Sequence, residues 1–150
     1  MLSQIFPITS KIITKIVSSS TPINRLVAMV QKEVALKLCS EEKSPLKMMI
    51  DYVGDVQYEL NVPRHVFMPA PHVDSAVISI HKERVISQEL IDLIEASYTA
   101  KRKTLYNNLK PLYHDQTKEL LESCGIPANK RAEELNIDDY IKILERSHTL

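Results

Sequence analysis

Glycine is nearly missing from this chain: Gly54 and Gly125 are the two present in 150 residues. A phosphate cradle or a Rossmann-type nucleotide turn needs clustered glycines, because a residue without Cβ lets backbone approach a ligand closely. The sequence therefore predicts no nucleotide held in a glycine-rich loop of its own. Charge of one sign is missing too, with 19 basic against 19 acidic side chains and a net charge of zero. That balance removes the argument for a globally basic nucleic-acid-binding domain, although a local patch can hide within it. Cys39 and Cys124 stand alone, without a CxxC or a histidine at ligand spacing, and read as buried reduced thiols of a cytoplasmic protein. Lys11 and Lys15 interrupt the N-terminal apolar run far short of the ~20 residues a membrane span needs. Charges inside that run also break the order of a signal peptide. The expected location is cytoplasmic, with no membrane partner.

What is present is an ordinary globular composition, 44% apolar and 25% charged, in a length that suits one domain of ordinary size or a small domain with an appendage. Thr9 or Ser10 can cap a helix over Lys11–Val17, ended by Ser18–Ser20. Asn24–Val30 is a compact apolar run that suits a buried strand, and Lys32–Leu38 resumes helical spacing. An apolar run between helical patterns predicts a parallel α/β layer. Ser44-Pro45 starts a helix with Leu46, Met49, Ile50 and Val53 on one face, and Gly54-Asp55 is expected to close it. Val56–Val62 alternates apolar and polar as a half-buried strand does, and Ser75–His81 makes another. Between them Pro63, Pro69 and Pro71 stiffen a loop unsuited to helix or ladder.

From Ser87 the texture is all-helical. Ser87 opens a helix carrying Leu90, Ile91, Ile94 and Tyr98 on one face, which either continues through Lys101–Lys103 or breaks there. Thr104–Leu112 is a short helix stopped near Pro111, Thr117–Cys124 another ended by Gly125, and Ile137–Leu144 the last. The organisation is thus an α/β segment over residues 1–83 followed by a small all-helical domain over residues 84–150. Met29, Met48, Met49 and Met68 read as core filler.

Two segments stand out chemically. Phe67 to Ala76 sets an aromatic in a proline-stiffened loop before a strand. It is either a platform for a stacked base or a core plug whose Asp74 caps the turn. Lys101-Arg102-Lys103, with Lys110 following, forms the one basic run, and no acid falls between residues 101 and 114. Asn107 and Asn108 add donors. This run suits phosphate contacts on RNA, or equally a solvated helix end where cations are favourable. His65, His72, His81, His114 and His148 show no metal spacing, so no metal site is expected, and no nucleophile elbow or paired-carboxylate pattern appears.

In order and spacing, five blocks resemble the ribosomal RNA adenine dimethyltransferases. They are Ile8–Ser10, Met29–Ala35, Phe67–Ala76, Arg102–Leu105 with Asn107–Leu109, and Arg131–Leu135. The resemblance covers residues 8–144 and corresponds to the second part of a family member. It implies the later strands of a truncated Rossmann-like methyltransferase sheet, followed by a helical domain that engages small-subunit rRNA or a pre-ribosomal particle. It implies S-adenosylmethionine as methyl donor, held by a glycine-rich loop that has no counterpart here, so that a separate chain carrying the donor half is a possible partner. The family's target-base motif of Asn, Leu or Ile, Pro and Tyr aligns with Ser3-Gln4-Ile5-Phe6. Ser3 is too short to replace a planar amide, and Ile5 lacks the carbonyl-directing proline, so no catalytic motif is intact. By the same resemblance Phe6 and Phe67 are candidate walls for the target adenine. Lys101, Arg102, Lys103, Asn107, Lys110 and Arg131 are candidate RNA contacts. The alternatives are a non-catalytic RNA-binding or ribosome-assembly module, and a non-functional gene remnant.

Overall fold

A computed structural model describes the backbone of residues 2–21 and 23–150, and side chains from Thr9 onward within those ranges. The side chains of Ser3, Ile5 and Phe6 lie outside the described residues. The chain forms two compact units: residues up to Glu42 together with Ile50–Val85, and Lys43–Met49 together with Ile86–Leu150.

The first unit begins with α1 (Leu2–Val17), β1 (Arg25–Gln31) and α2 (Lys32–Cys39). The second half of α3 (Pro45–Val53) follows, and then β2 (Gly54–Val62) and β3 (Ser75–Lys82). The strands form one sheet in the order β1-β3-β2, and both neighbouring pairs are antiparallel. The expected parallel layer is thus corrected. β1 and β2 do run the same way, joined through α2 and α3, but they are not adjacent. β3 returns between them from a loop without an α-helix, and such a return reverses strand direction.

Register sorts the side chains onto two faces. Val30, Ile78, Ile80 and Ala76 share the buried face, and α2 lies against all three strands through Val34, Ala35 and Leu38. The opposite face leaves Val27 57% and Met29 51% exposed. Lys82 belongs to the buried face, where its ammonium donates to the carbonyls of Ile16 (3.2 Å) and Ser19. The Ile16 oxygen lies in the last turn of α1, where carbonyls lack a partner within the helix, and Ser19 lies just beyond it. Burial lowers the Lys82 pKa.

Gly54 does not close α3 as a C-cap. It is the first residue of β2, and a Cβ there would stand 1.8 Å from the His81 carbonyl oxygen. The requirement is close approach of two backbones, not a left-handed turn.

The second unit contains α4 (Gln88–Ser97), α5 (Leu105–Tyr113), α6 (Thr117–Ser123) and α7 (Ile137–Ser147), with the first half of α3. The caps follow side-chain chemistry. Ser87 accepts from the Leu90 N–H (3.2 Å), Thr104 from Asn107 (3.3 Å) and Asn136 from Asp139 (3.0 Å). Gly125 follows α6 at φ +71°, the left-handed stop that favours glycine. α4 ends at Ser97 instead of continuing through the lysines, whereas α5 runs past Pro111 to Tyr113. Proline removes only the N–H that would bond the Asn107 carbonyl, and the buried Leu105 and Leu109 hold the helix on its core. Two other expectations need correction. Cys39 is exposed while Cys124 is buried. Met48 and Met49 are core residues, but Met29 and Met68 face solvent, Met68 at 99% exposure.

Candidate functional site

In the first unit, the Phe67 loop is held at its base by one carboxylate. Asp74 Oδ1 accepts from the Arg64 backbone N–H at 2.9 Å and from Arg64 Nε at 3.1 Å, while Arg64 Nη1 donates to the His72 carbonyl at 2.6 Å. The Arg64 backbone N–H, then its guanidinium, hold the Asp74 carboxyl below its ordinary value. The Asp74 carbonyl accepts from the Lys32 N–H at 3.0 Å, tying the loop to the start of α2. Asp74 therefore caps the turn, and His72 contributes its carbonyl to this knot. Phe67 itself is half-buried, in extended backbone, with Val66 before it and Met68 after it exposed. It is neither a sealed core plug nor a fully exposed ring. Phe6, its expected partner, has its side chain outside the described residues.

Arg64 is the residue that sequence reasoning missed. Its partner lies ten positions away, and no short spacing signals a contact across a loop.

In the second unit, Lys101, Arg102 and Lys103 sit in the turn between α4 and α5 and are exposed. Among the described residues none of the three forms an ion pair, nor does Lys110, whose ammonium lies 5.9 Å over the Tyr106 ring. Lys103 directly precedes the Thr104 N-cap of α5. A cation there opposes the helix dipole, so stabilisation of α5 does not account for it. The Leu105 N–H donates to the Lys130 carbonyl at 2.6 Å. That bond brings the Arg131 segment beside the start of α5, and the Arg131 side chain is exposed. The helical unit thus gathers the basic turn, Asn107 and Lys110 on α5, and the backbone carrying Arg131.

Asn108 does not join them. It is 7% exposed, its Nδ2 donates to the carbonyls of Ser97 (2.8 Å) and Ala100 (3.0 Å), and its Oδ1 accepts from the Ala100 N–H (3.2 Å). Asn108 builds the turn that displays the cations. Asn107, one position earlier, is exposed, and its side-chain amide makes no hydrogen bond among the described residues.

Gly54 serves strand contact and Gly125 ends a helix. Two grooves of about 320 Å³, one in each unit, contain no glycine in their linings. No group of acidic, histidine or cysteine side chains among the described residues could hold a metal ion, and no described helix is long and apolar enough to cross a membrane.

Comparison with known proteins supplies the context. The family model described as ribosomal RNA adenine dimethylase matches residues 6–148. The chain is 35% identical to the ribosomal RNA small subunit methyltransferase A of Fusobacterium nucleatum, over 92% of this chain and 57% of that protein. It is 32% identical to the protein of the same name from Mesoplasma florum, over 93% of this chain and 57% of that one. It spans little more than half the length of these curated relatives. Among solved structures, a dimethyladenosine transferase from Plasmodium falciparum superposes with a TM-score of 0.78 at 22% identity, covering 96% of this chain and 64% of that one. A 23S rRNA methyltransferase, ErmE, superposes at 0.62 and 21% identity, covering 94% and 61%. These likenesses show the fold: a truncated methyltransferase-type sheet followed by helices. With residues 6–148 of its 150 matched by the family model, the chain belongs to the ribosomal RNA adenine dimethylase family.

Proposed function

We propose that these residues form the RNA-engaging part of an adenine N6-dimethyltransferase acting on small-subunit rRNA. In this reading S-adenosylmethionine is held in the portion of the relatives that this chain does not match. The sheet unit offers Phe67, and by resemblance Phe6, to a flipped adenine, and the helical unit grips the surrounding RNA. Adenine's amino lone pair is delocalised into its ring, so methylation depends on clamping the base in one orientation, and misplacement can cost about 10²-fold. With Ser3 and Ile5 in place of the family's amide and proline, and with no donor cradle, these 150 residues alone bind RNA and do not methylate it.

A separate donor-binding chain would meet a free sheet edge. β1 has one neighbour among the described residues and carries the exposed Val27 and Met29. An edge with such side chains invites strand pairing.

The observation that carries the reading is the exposed, unpaired Lys101-Arg102-Lys103 turn with Lys110. Its test is RNA affinity against salt concentration on a small-subunit rRNA fragment. Affinity should fall steeply with salt, and Lys101→Ala or Arg102→Ala should each reduce the log–log slope by about one. A flat salt dependence would remove these residues as phosphate contacts.

A further inference from the structure

Beside the basic turn lies a groove of about 320 Å³, the small end of the range for ligand sites. Ala96, Ala100, Pro111 and the 42%-exposed Leu112 line it, and Lys103 and Asn107 also contribute. No carboxylate contributes to the lining.

Its chemistry is specific. The apolar residues offer a surface for something flat and uncharged. Asn107 carries a planar amide, one acceptor and two donors, with no hydrogen bond of its own. Pro111 has no N–H to give the Asn107 carbonyl, which leaves that oxygen without its usual helical donor. Lys103 stands at the groove, and Lys101, Arg102 and Lys110 extend the positive charge along the same segment. Beneath, the Asn108 hydrogen bonds to Ser97 and Ala100 hold the turn rigid.

An apolar slot, one free amide and flanking cations match a single unstacked nucleotide: base in the slot, amide on its edge, phosphates on the lysines. We infer that this groove takes one looped-out nucleotide of the bound RNA, so that the helical unit selects RNA with an unpaired residue over a continuous duplex. Unstacked bases are what RNA-binding proteins read, because the grooves of A-form helices give side chains little sequence information. The inference rests on the RNA reading above and goes beyond it, since phosphate contacts alone do not distinguish a bulge from a paired stem.

The experiment compares two blunt RNA duplexes, each of two strands and alike except that one carries a single bulged nucleotide, by fluorescence anisotropy with the full chain. The bulged duplex should bind about tenfold more tightly, the discrimination expected of one amide–base contact. Asn107→Ala should bring that ratio close to one, as should Leu112→Trp, which fills the groove from an exposed position. Lys101→Ala should weaken both duplexes and keep the ratio. Equal affinity for the two duplexes with a steep salt dependence overturns the groove assignment and leaves the RNA reading standing. A preference that survives both Asn107→Ala and Leu112→Trp overturns it as well. Absence of salt-dependent binding to either duplex overturns both readings.

Discussion

Asn107 and Asn108 are chain neighbours with the same side chain and opposite surroundings. Asn108 is buried in a set of three hydrogen bonds, and its removal leaves the Ser97 carbonyl and the Ala100 N–H without the partners it supplies. Asn108→Ala should cost about 2–3 kcal/mol in thermal or denaturant unfolding. Asn107→Ala should change stability by about 0.5 kcal/mol or less, because that amide is solvated and free. Composition and spacing do not separate the two, since which amide points inward depends on where α5 sits against the preceding turn.

Asp74 gives a second test at this scale. Its folded pKa is lowered, chiefly by the hydrogen bond from the Arg64 backbone N–H. Its contribution is therefore fully present above the ordinary aspartate value of about 3.9 and is lost as pH falls through the lower folded value. Hydrogen-exchange protection in residues 64–74, relative to the intrinsic rate at each pH, should be high near neutral pH and should fall below about pH 4. Asp74→Asn should show the lower protection already at neutral pH. A loop indifferent to both would mean that the Arg64–Asp74 contact does not hold Phe67 in place.

At the scale of elements, legibility followed locality. Helix starts with Ser44, Ser87 and Thr104 were readable because a cap and its N–H partner lie three residues apart. The strands were readable from alternation, but their order was not. Antiparallel insertion of β3 between β1 and β2 rests on pairings such as Val27 with Ser79 and Gln57 with Ser79, far apart in the chain. Gly54 failed for the same reason, because its constraint is the distant His81 carbonyl. Gly54→Ala must push β2 from β3 and should cost about 3 kcal/mol or more. The free edge of β1 makes a further prediction. Alternate amides of Arg25–Gln31 should exchange rapidly while those of β3, paired on both sides, are protected. Uniform protection along β1 would show that another strand covers it.

At the scale of the whole molecule, two glycines first meant only that no glycine-rich nucleotide loop was present. Fold and family give the count a sharper meaning. This chain spans little more than half the length of its relatives, and both glycines serve internal structure. The five sequence blocks were enough to identify the family, because blocks in fixed order survive where overall identity is near a third. The candidate site was only partly legible: the basic turn stood out as a charge run, whereas the loop anchor Arg64 and the groove beside Asn107 exist only once the chain is folded.

The central claim is that these residues engage RNA without completing the methyl-transfer site. Its most direct test is incorporation of labelled methyl groups from S-adenosylmethionine into under-methylated small-subunit rRNA by the 150-residue chain alone, with RNA binding measured on the same samples. The account predicts salt-sensitive binding with incorporation at the blank level. Incorporation above blank by the lone chain would contradict it.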